Sequence, residues 1–183
     1  DTKYIKDSYH KPVVNKVDLS KFSNKRFNEA SKEKIIVAGM NKELECYLDN
    51  GEYLAGKSTT IITFKKVNLK VLLAILNSKL MTYIYKNLFK SLSLAGGYMR
   101  IGTPQIKNLP IKIPSEFQEK IIVQKVEKII LLNKKLWDIG KKITSETKEL
   151  NDKINILSKE IDEEIYKLYG ITDSKDREII EKS

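Results

Sequence analysis

Arg100 is the side chain in this sequence best suited to reading a shape, and its neighbours suit that task. It is one of only three arginines in a chain of 183 residues that carries 34 lysines and arginines. Tyr98 stands two residues before it, and Gly96-Gly97 precede the pair. A guanidinium is a planar fork of five donors that fits a guanine edge or a phosphate. The two glycines permit a sharp reversal of the backbone. A short strand over 98–101 would then turn Arg100 to the face opposite Met99. Lys57-Ser58-Thr59-Thr60 is a second candidate, a lysine and hydroxyls on a loop ahead of a strand, suited to phosphate contacts. Lys90 and Lys107 place further positive charge on either side of Arg100, Lys90 sharing a helix face with Lys86. The plain alternatives are a strand arginine in a surface ion pair, a solvated loop and a solvated helix face.

The residues needed for catalysis are scarce. His10 is the only histidine and Cys46 the only thiol, which excludes metal sites built on those ligands. No glycine-rich phosphate loop occurs, since Gly51 and Gly56 belong to a turn and the loop after it. Cys46 lies in a strand-like pattern, where a buried, inert thiol is expected. One cysteine allows no internal disulfide and fits a reducing compartment, the cytoplasm in the simplest case. No apolar run has the length of a membrane span. The chain opens on Asp1, and is read here as a piece of a longer protein.

The net charge of +10 is unevenly placed. Residues 1–115 hold 20 Lys/Arg against 9 Asp/Glu, whereas residues 116–183 hold 14 against 15. No acid occurs between Glu52 and Glu116. A general lysine bias would not empty one segment of acids and fill the next, so a positive field over one lobe points to a polyanionic partner.

The elements that must position these residues can be read in order. Residues 3–6 and 12–17 suit edge strands, and 19–30 a loop or one helical turn. Residues 34–38 and 44–48 read as strands, and Asp49-Asn50-Gly51 signals a hairpin into the β-branched strand over 59–64. Asn68 caps a helix over 69–76, with Leu69, Leu72, Leu73 and Leu76 on one face, and Asn77-Ser78 breaks it. A second helix runs to about Phe89 with Leu80, Tyr83, Ile84 and Leu88 inward. Thr103-Pro104 has the form of a helix start with a capping hydroxyl, and Pro110 and Pro114 space an extended segment. From Glu116 the apolar spacing turns heptad-like: Ile122, Ile129, Leu136, Ile143, Leu150 and Leu157 form one series. Val126, Asn133, Gly140, Thr147, Ile154, Ile161 and Leu168 form its companion. The weak middle of the companion series favours two helices folded back near Gly140 over one unbroken helix. Gly170 marks a helix stop, followed by a short helix over 175–181.

Four segments in order resemble a known family: Leu-Ala-Ile-Leu-Asn-Ser-Lys-Leu (73–80), Gly-Gly-Tyr-Met-Arg-Ile (96–101), Ile-Lys-Asn-Leu-Pro-Ile (106–111) and Ile-Asp-Glu-Glu-Ile-Tyr-Lys-Leu-Tyr-Gly-Ile-Thr (161–172). The series is similar to the TaqI-like C-terminal specificity domain of adenine-N6 DNA methyltransferases and fused restriction–modification enzymes. The run over 109–122 also resembles the join between recognition domain and spacer helix in type I specificity subunits. The resemblance implies a target recognition domain for double-stranded DNA. It also implies a separate, N-terminal methyltransferase domain of the same parent, which would bind S-adenosylmethionine and methylate a flipped adenine. The family's Asn-Pro-Pro-Tyr motif has no counterpart here, so this chain is expected to be catalytically silent and to need no cofactor of its own. The scarcity of arginine departs from the family's usual taste for bidentate guanine contacts and argues against a G-rich target.

The expectation is therefore an α+β protein. A basic, mixed α/β recognition domain over 1–115 is followed by a helical, coiled-coil-like hairpin spacer over 116–183. Its expected DNA-binding residues are Arg100, Tyr98, Lys57, Ser58, Thr59, Lys90 and Lys107, with no catalytic residue and no metal ligand. A module that assembles or dimerises through its helical tail is the alternative, and an autonomous nuclease or methyltransferase the weaker rival.

Overall fold

The computed structural model of the chain describes residues 24–53, 55, 59–63, 66–140 and 143–182. The strands expected over 3–6 and 12–17, His10, Lys57, Ser58 and Phe64 lie outside the described residues.

Helix α1 (Asn24–Ala30) leads into β1 (Lys34–Ala38), whose Ile35, Ile36 and Val37 are buried. A two-residue strand β2 (Met40–Asn41) follows, then β3 (Cys46–Asp49) and β4 (Thr59–Ile62). The sheet order is β3-β1-β4, both pairings antiparallel, with Ile36 opposite Tyr47 on one side and Ile61 on the other. The most apolar strand thus sits at the centre. This corrects the expected hairpin at Asp49-Asn50-Gly51, because β4 joins the far side of β1 and not β3. Asp49 explains why the turn forms without a hairpin. Its carboxylate accepts the backbone N–H groups of Glu52 (3.0 Å) and Tyr53 (3.3 Å) and is paired, in a buried position, with the Lys34 ammonium. Lys34 also donates to the Ala30 carbonyl, tying α1 to the same pair.

Beneath the sheet lies α2 (Leu69–Asn77), capped by Asn68, whose side chain accepts the Lys70 N–H. Every residue from Val71 to Asn77 is buried, so the one-sided pattern expected for this helix understates its burial. Helix α2 packs on β1 and β3 on one side and on the tail on the other. Sandwiched helices become apolar all round. Asn77 is the exception that fits. Its amide donates to the Cys46 carbonyl (3.0 Å) and accepts the Cys46 N–H (2.8 Å), standing in for a further strand at the outer edge of β3. Cys46 itself is fully buried.

Ser78 ends α2 and caps α3 (Lys79–Leu88), accepting from the Met81 N–H. Its buried residues are Leu80, Met81, Thr82 and Tyr85, so the inward face is rotated from the expected one and Leu88 is exposed. Polar anchors set that rotation: the Thr82 hydroxyl accepts from the Leu44 N–H at 3.1 Å, and Tyr85 reaches across to β5 (Met99–Arg100). A short α4 (Thr103–Lys107) follows. Gly102 takes the cap position there, and Thr103 makes no capping bond, contrary to expectation.

The tail is the expected hairpin. Helix α5 (Glu116–Ile139) opens on a capping box of Ser115 and Gln118 and ends at Gly140, φ 78°. Helix α6 (Ser145–Tyr169) opens on a Thr144–Thr147 box and ends at Gly170 in the left-handed region. The seam buries Ile122, Val126, Ile129, Asn133, Thr147, Leu150, Ile161 and Leu168, with Leu157 partly buried. Ile143 leaves the series, 99% exposed, because it falls in the connection and not on either helix. Helix α7 (Ser174–Glu181) closes the chain and lies against α3. One apolar cluster runs from the sheet through α2 into this hairpin. Specific polar bonds join tail to lobe: Asp162 accepts the Lys79 N–H at the start of α3, and Tyr169 donates to the Pro110 carbonyl at 2.6 Å while accepting the Lys112 N–H.

Candidate nucleic-acid interface

The interface grows from a two-stranded ribbon. Gly96 and Gly97 adopt φ of 75° and 80°, a region that side chains with a Cβ rarely enter, and turn the chain back on itself. The Leu94 N–H then bonds the Tyr98 carbonyl at 2.7 Å, and Ser93 bridges to Met99. Beyond the turn β5 pairs antiparallel with β2, Met40 opposite Arg100 and Asn41 opposite Met99. Burial settles which way each pair faces. Met99 is 2% exposed, whereas Met40 is 60% exposed and Arg100 is exposed as well. The same register carried one residue on sets Lys42 against Tyr98, and the Lys42 ammonium lies 5.3 Å from the centre of that ring. An exposed cation–π contact of this kind is worth about 0.5–1 kcal/mol.

Four side chains therefore share one solvent face: Met40, Lys42, Tyr98 and Arg100. Two backbone anchors hold it from behind. The Tyr85 hydroxyl donates to the Arg100 carbonyl at 2.6 Å, and the Ile101 N–H donates to the Gly39 carbonyl at 2.9 Å. Tyr85 is wholly buried, and burial pushes its hydroxyl up to about 12, so at neutral pH it is a fixed donor. Arg100 enters no ion pair among the described residues.

The other predicted residues are distributed around this ribbon. Thr59 is half-buried at the start of β4 and lies opposite Ala38, two residues before Met40. Its neighbour Thr60 approaches Thr103 of α4, hydroxyl to hydroxyl, at 3.4 Å, which closes the sheet edge against the segment after Arg100. Lys107 is exposed at the end of α4. Lys90 is exposed in a 3-10 turn beyond α3, three residues before the Ser93 bridge. Helix α3 stops at Leu88, so Lys86 and Lys90 do not share a helix face as expected. The structure thus brings Tyr98 and Arg100 together on one face and leaves Thr59, Lys90 and Lys107 on segments flanking it.

Two members of the ribbon, Met40 and Lys42, were missed in the sequence. A strand of two residues carries no alternation to detect, and its pairing with 99–100 is a contact across some sixty residues. Conversely, not every lysine of the basic segment is free. Lys34 is buried against Asp49, and Lys70 meets Glu127 of the tail at 2.5 Å. Glu127 of the tail thus neutralises part of the lobe's charge, and among the described residues the ribbon's cations Lys42 and Arg100 enter no such pair. Among the described residues no cluster of His, Cys, Asp or Glu can hold a metal ion. No described helix is long and apolar enough to cross a membrane.

The structure is an α+β lobe with an exposed ribbon that presents arginine, lysine and tyrosine, carried on a helical hairpin. The sequence profile of the TaqI-like C-terminal specificity domain matches residues 2–111, more than half of the chain, and the chain belongs to that family. Its role is accordingly DNA recognition within restriction–modification. No curated protein matches the chain.

Proposed function

We propose that this chain reads a short sequence of double-stranded DNA and does so through the β2–β5 ribbon. In this reading it is the specificity part of an adenine-N6 methyltransferase system, with or without an endonuclease. Methyl transfer from S-adenosylmethionine belongs to a separate domain of the parent. The observation that carries the reading is Arg100: exposed, outside any ion pair among the described residues, and fixed at its carbonyl by a buried tyrosine. A guanidinium so placed can give a guanine its bidentate pair. Lys42, Lys90 and Lys107, with Lys57 and Ser58 ahead of β4 and Thr59 at its start, supply phosphate contacts that set register without reading sequence. The test is selection of bound duplexes from a randomised pool by the purified chain, followed by a salt titration. The reading expects one enriched sequence and a linear fall of log K with log salt. No enrichment, or affinity indifferent to salt, would refute it. The chain alone should transfer no methyl group from S-adenosylmethionine.

A second reading is supported by the outer face of the hairpin, where Leu131 and Ile156 are more than half exposed over a shallow apolar groove with Leu132 and Leu157. It has the tail mediating assembly, and sedimentation of the chain over a range of concentrations tests it.

A further inference from the structure

Met40 is a large apolar side chain, 60% exposed, at the one position directly opposite Arg100. Single exposed apolar residues are common and carry little meaning alone. This one is distinguished by its register. Directly opposed residues of an antiparallel pair project from the same face with Cβ atoms about 4.5–5.5 Å apart. Successive base pairs are about 3.4 Å apart along the duplex. A two-stranded ribbon fits the major groove, where the features to be read include one apolar group, the C5-methyl of thymine. Two side chains leaving one face at this spacing reach the same or adjacent base pairs. The ribbon's other face, buried Met99 with half-buried Asn41, fixes Met40 and Arg100 to the solvent side.

We infer that Met40 is a specificity-determining residue that packs on a thymine methyl group, beside the guanine read by Arg100. The inference rests on the DNA-reading function proposed above and adds to it the chemical content of one target position. The bound sequence should contain a thymine in the same or the neighbouring base pair as a guanine. The lysine opposite Tyr98 belongs to the same face but, as a flexible point charge, contributes phosphate affinity and not base choice.

The experiment replaces each thymine of the selected duplex by deoxyuridine, which lacks only the C5-methyl, and compares the unaltered chain with Met40→Ala and Met40→Leu. Removal of one thymine methyl should lower the affinity of the unaltered chain about three- to fivefold, the worth of one buried methyl-sized group. Met40→Ala should bind the thymine and deoxyuridine duplexes alike at that position, and Met40→Leu should keep most of the difference. Thermal melting of each variant verifies that the fold survives. If the unaltered chain ignores every substitution, or if Met40→Ala stays as sensitive as the unaltered chain, Met40 does not read thymine. Equal losses by Met40→Ala on both duplexes, with the methyl effect retained, would make Met40 a wedge between base steps and overturn the inference likewise. A chain that selects no sequence at all fails earlier, at the proposed function itself.

Discussion

The Tyr85 hydroxyl donates to the Arg100 carbonyl at 2.6 Å, so a buried residue of α3 fixes the backbone from which the exposed guanidinium projects. The bond connects core to interface: Tyr85 belongs to the apolar cluster that continues through α2 into the helical hairpin. Tyr85→Phe keeps the ring and its tilted contact with Phe89, centroids 4.9 Å apart, but removes the donor. Stability should fall by only about 1 kcal/mol, the net worth of one hydrogen bond. Discrimination between the selected duplex and random DNA should fall, with the salt slope unchanged because no charge is lost. Discrimination equal to that of the unaltered chain would show that Arg100 is positioned without Tyr85.

The Lys34–Asp49 pair is buried at both ends and holds α1, the start of β1 and the turn after β3. Lys34→Met alone leaves a buried carboxylate without its cation, which costs about 3–5 kcal/mol. Adding Asp49→Leu to Lys34→Met removes that charge but strands the backbone donors of Glu52 and Tyr53, so only part of the loss should return. Urea denaturation of the single and double variants measures both steps. A single variant as stable as the parent sequence would contradict the role given to the pair.

Alkaline pH offers a test of the two buried tyrosines. Burial pushes both Tyr85 and Tyr166 up to about 12, Tyr166 also feeling the carboxylates of Asp162, Glu181 and Glu163. Both are raised above the ordinary phenol value near 10, so the folded state holds these protons longer than the unfolded chain does. Their contribution to stability is complete below about pH 10 and is lost as pH climbs from about 10 to about 12. Tyr85→Phe and Tyr166→Phe should each make stability fall less steeply over that window, read by urea denaturation at pH 9, 10 and 11. Equal slopes for all three proteins would remove burial as the cause.

Much of this architecture was legible because local chemistry decides it. Asn68, Ser78 and Gly170 cap or end helices in the structure as their side chains, or the lack of one, require. The weak companion positions Asn133, Gly140 and Thr147 announced the hairpin, and Gly140 ends α5 in the structure. Tertiary context governed the remainder. Helix α2 is buried on every side because the sheet and α5 both cover it, and no single face of its sequence records that. Strand β4 crosses to the far side of β1, a choice that Asp49-Asn50-Gly51 does not encode. Within the candidate interface, Tyr98 and Arg100 were marked by their glycines and by the absence of nearby acids. Met40 and Lys42 join them only through pairing of segments far apart in the chain.

The central claim is that Arg100 reads a base, and one comparison tests it directly: the affinity of the unaltered chain and of Arg100→Ala for the selected duplex and for random DNA, each at two salt concentrations. A lost bidentate contact should cost about 1–3 kcal/mol on the selected duplex and much less on random DNA, with Arg100→Lys failing to restore it. If both affinities fall together and the salt slope drops by about one, Arg100 holds only a phosphate. If neither affinity changes, Arg100 lies outside the interface and the account of the ribbon is wrong.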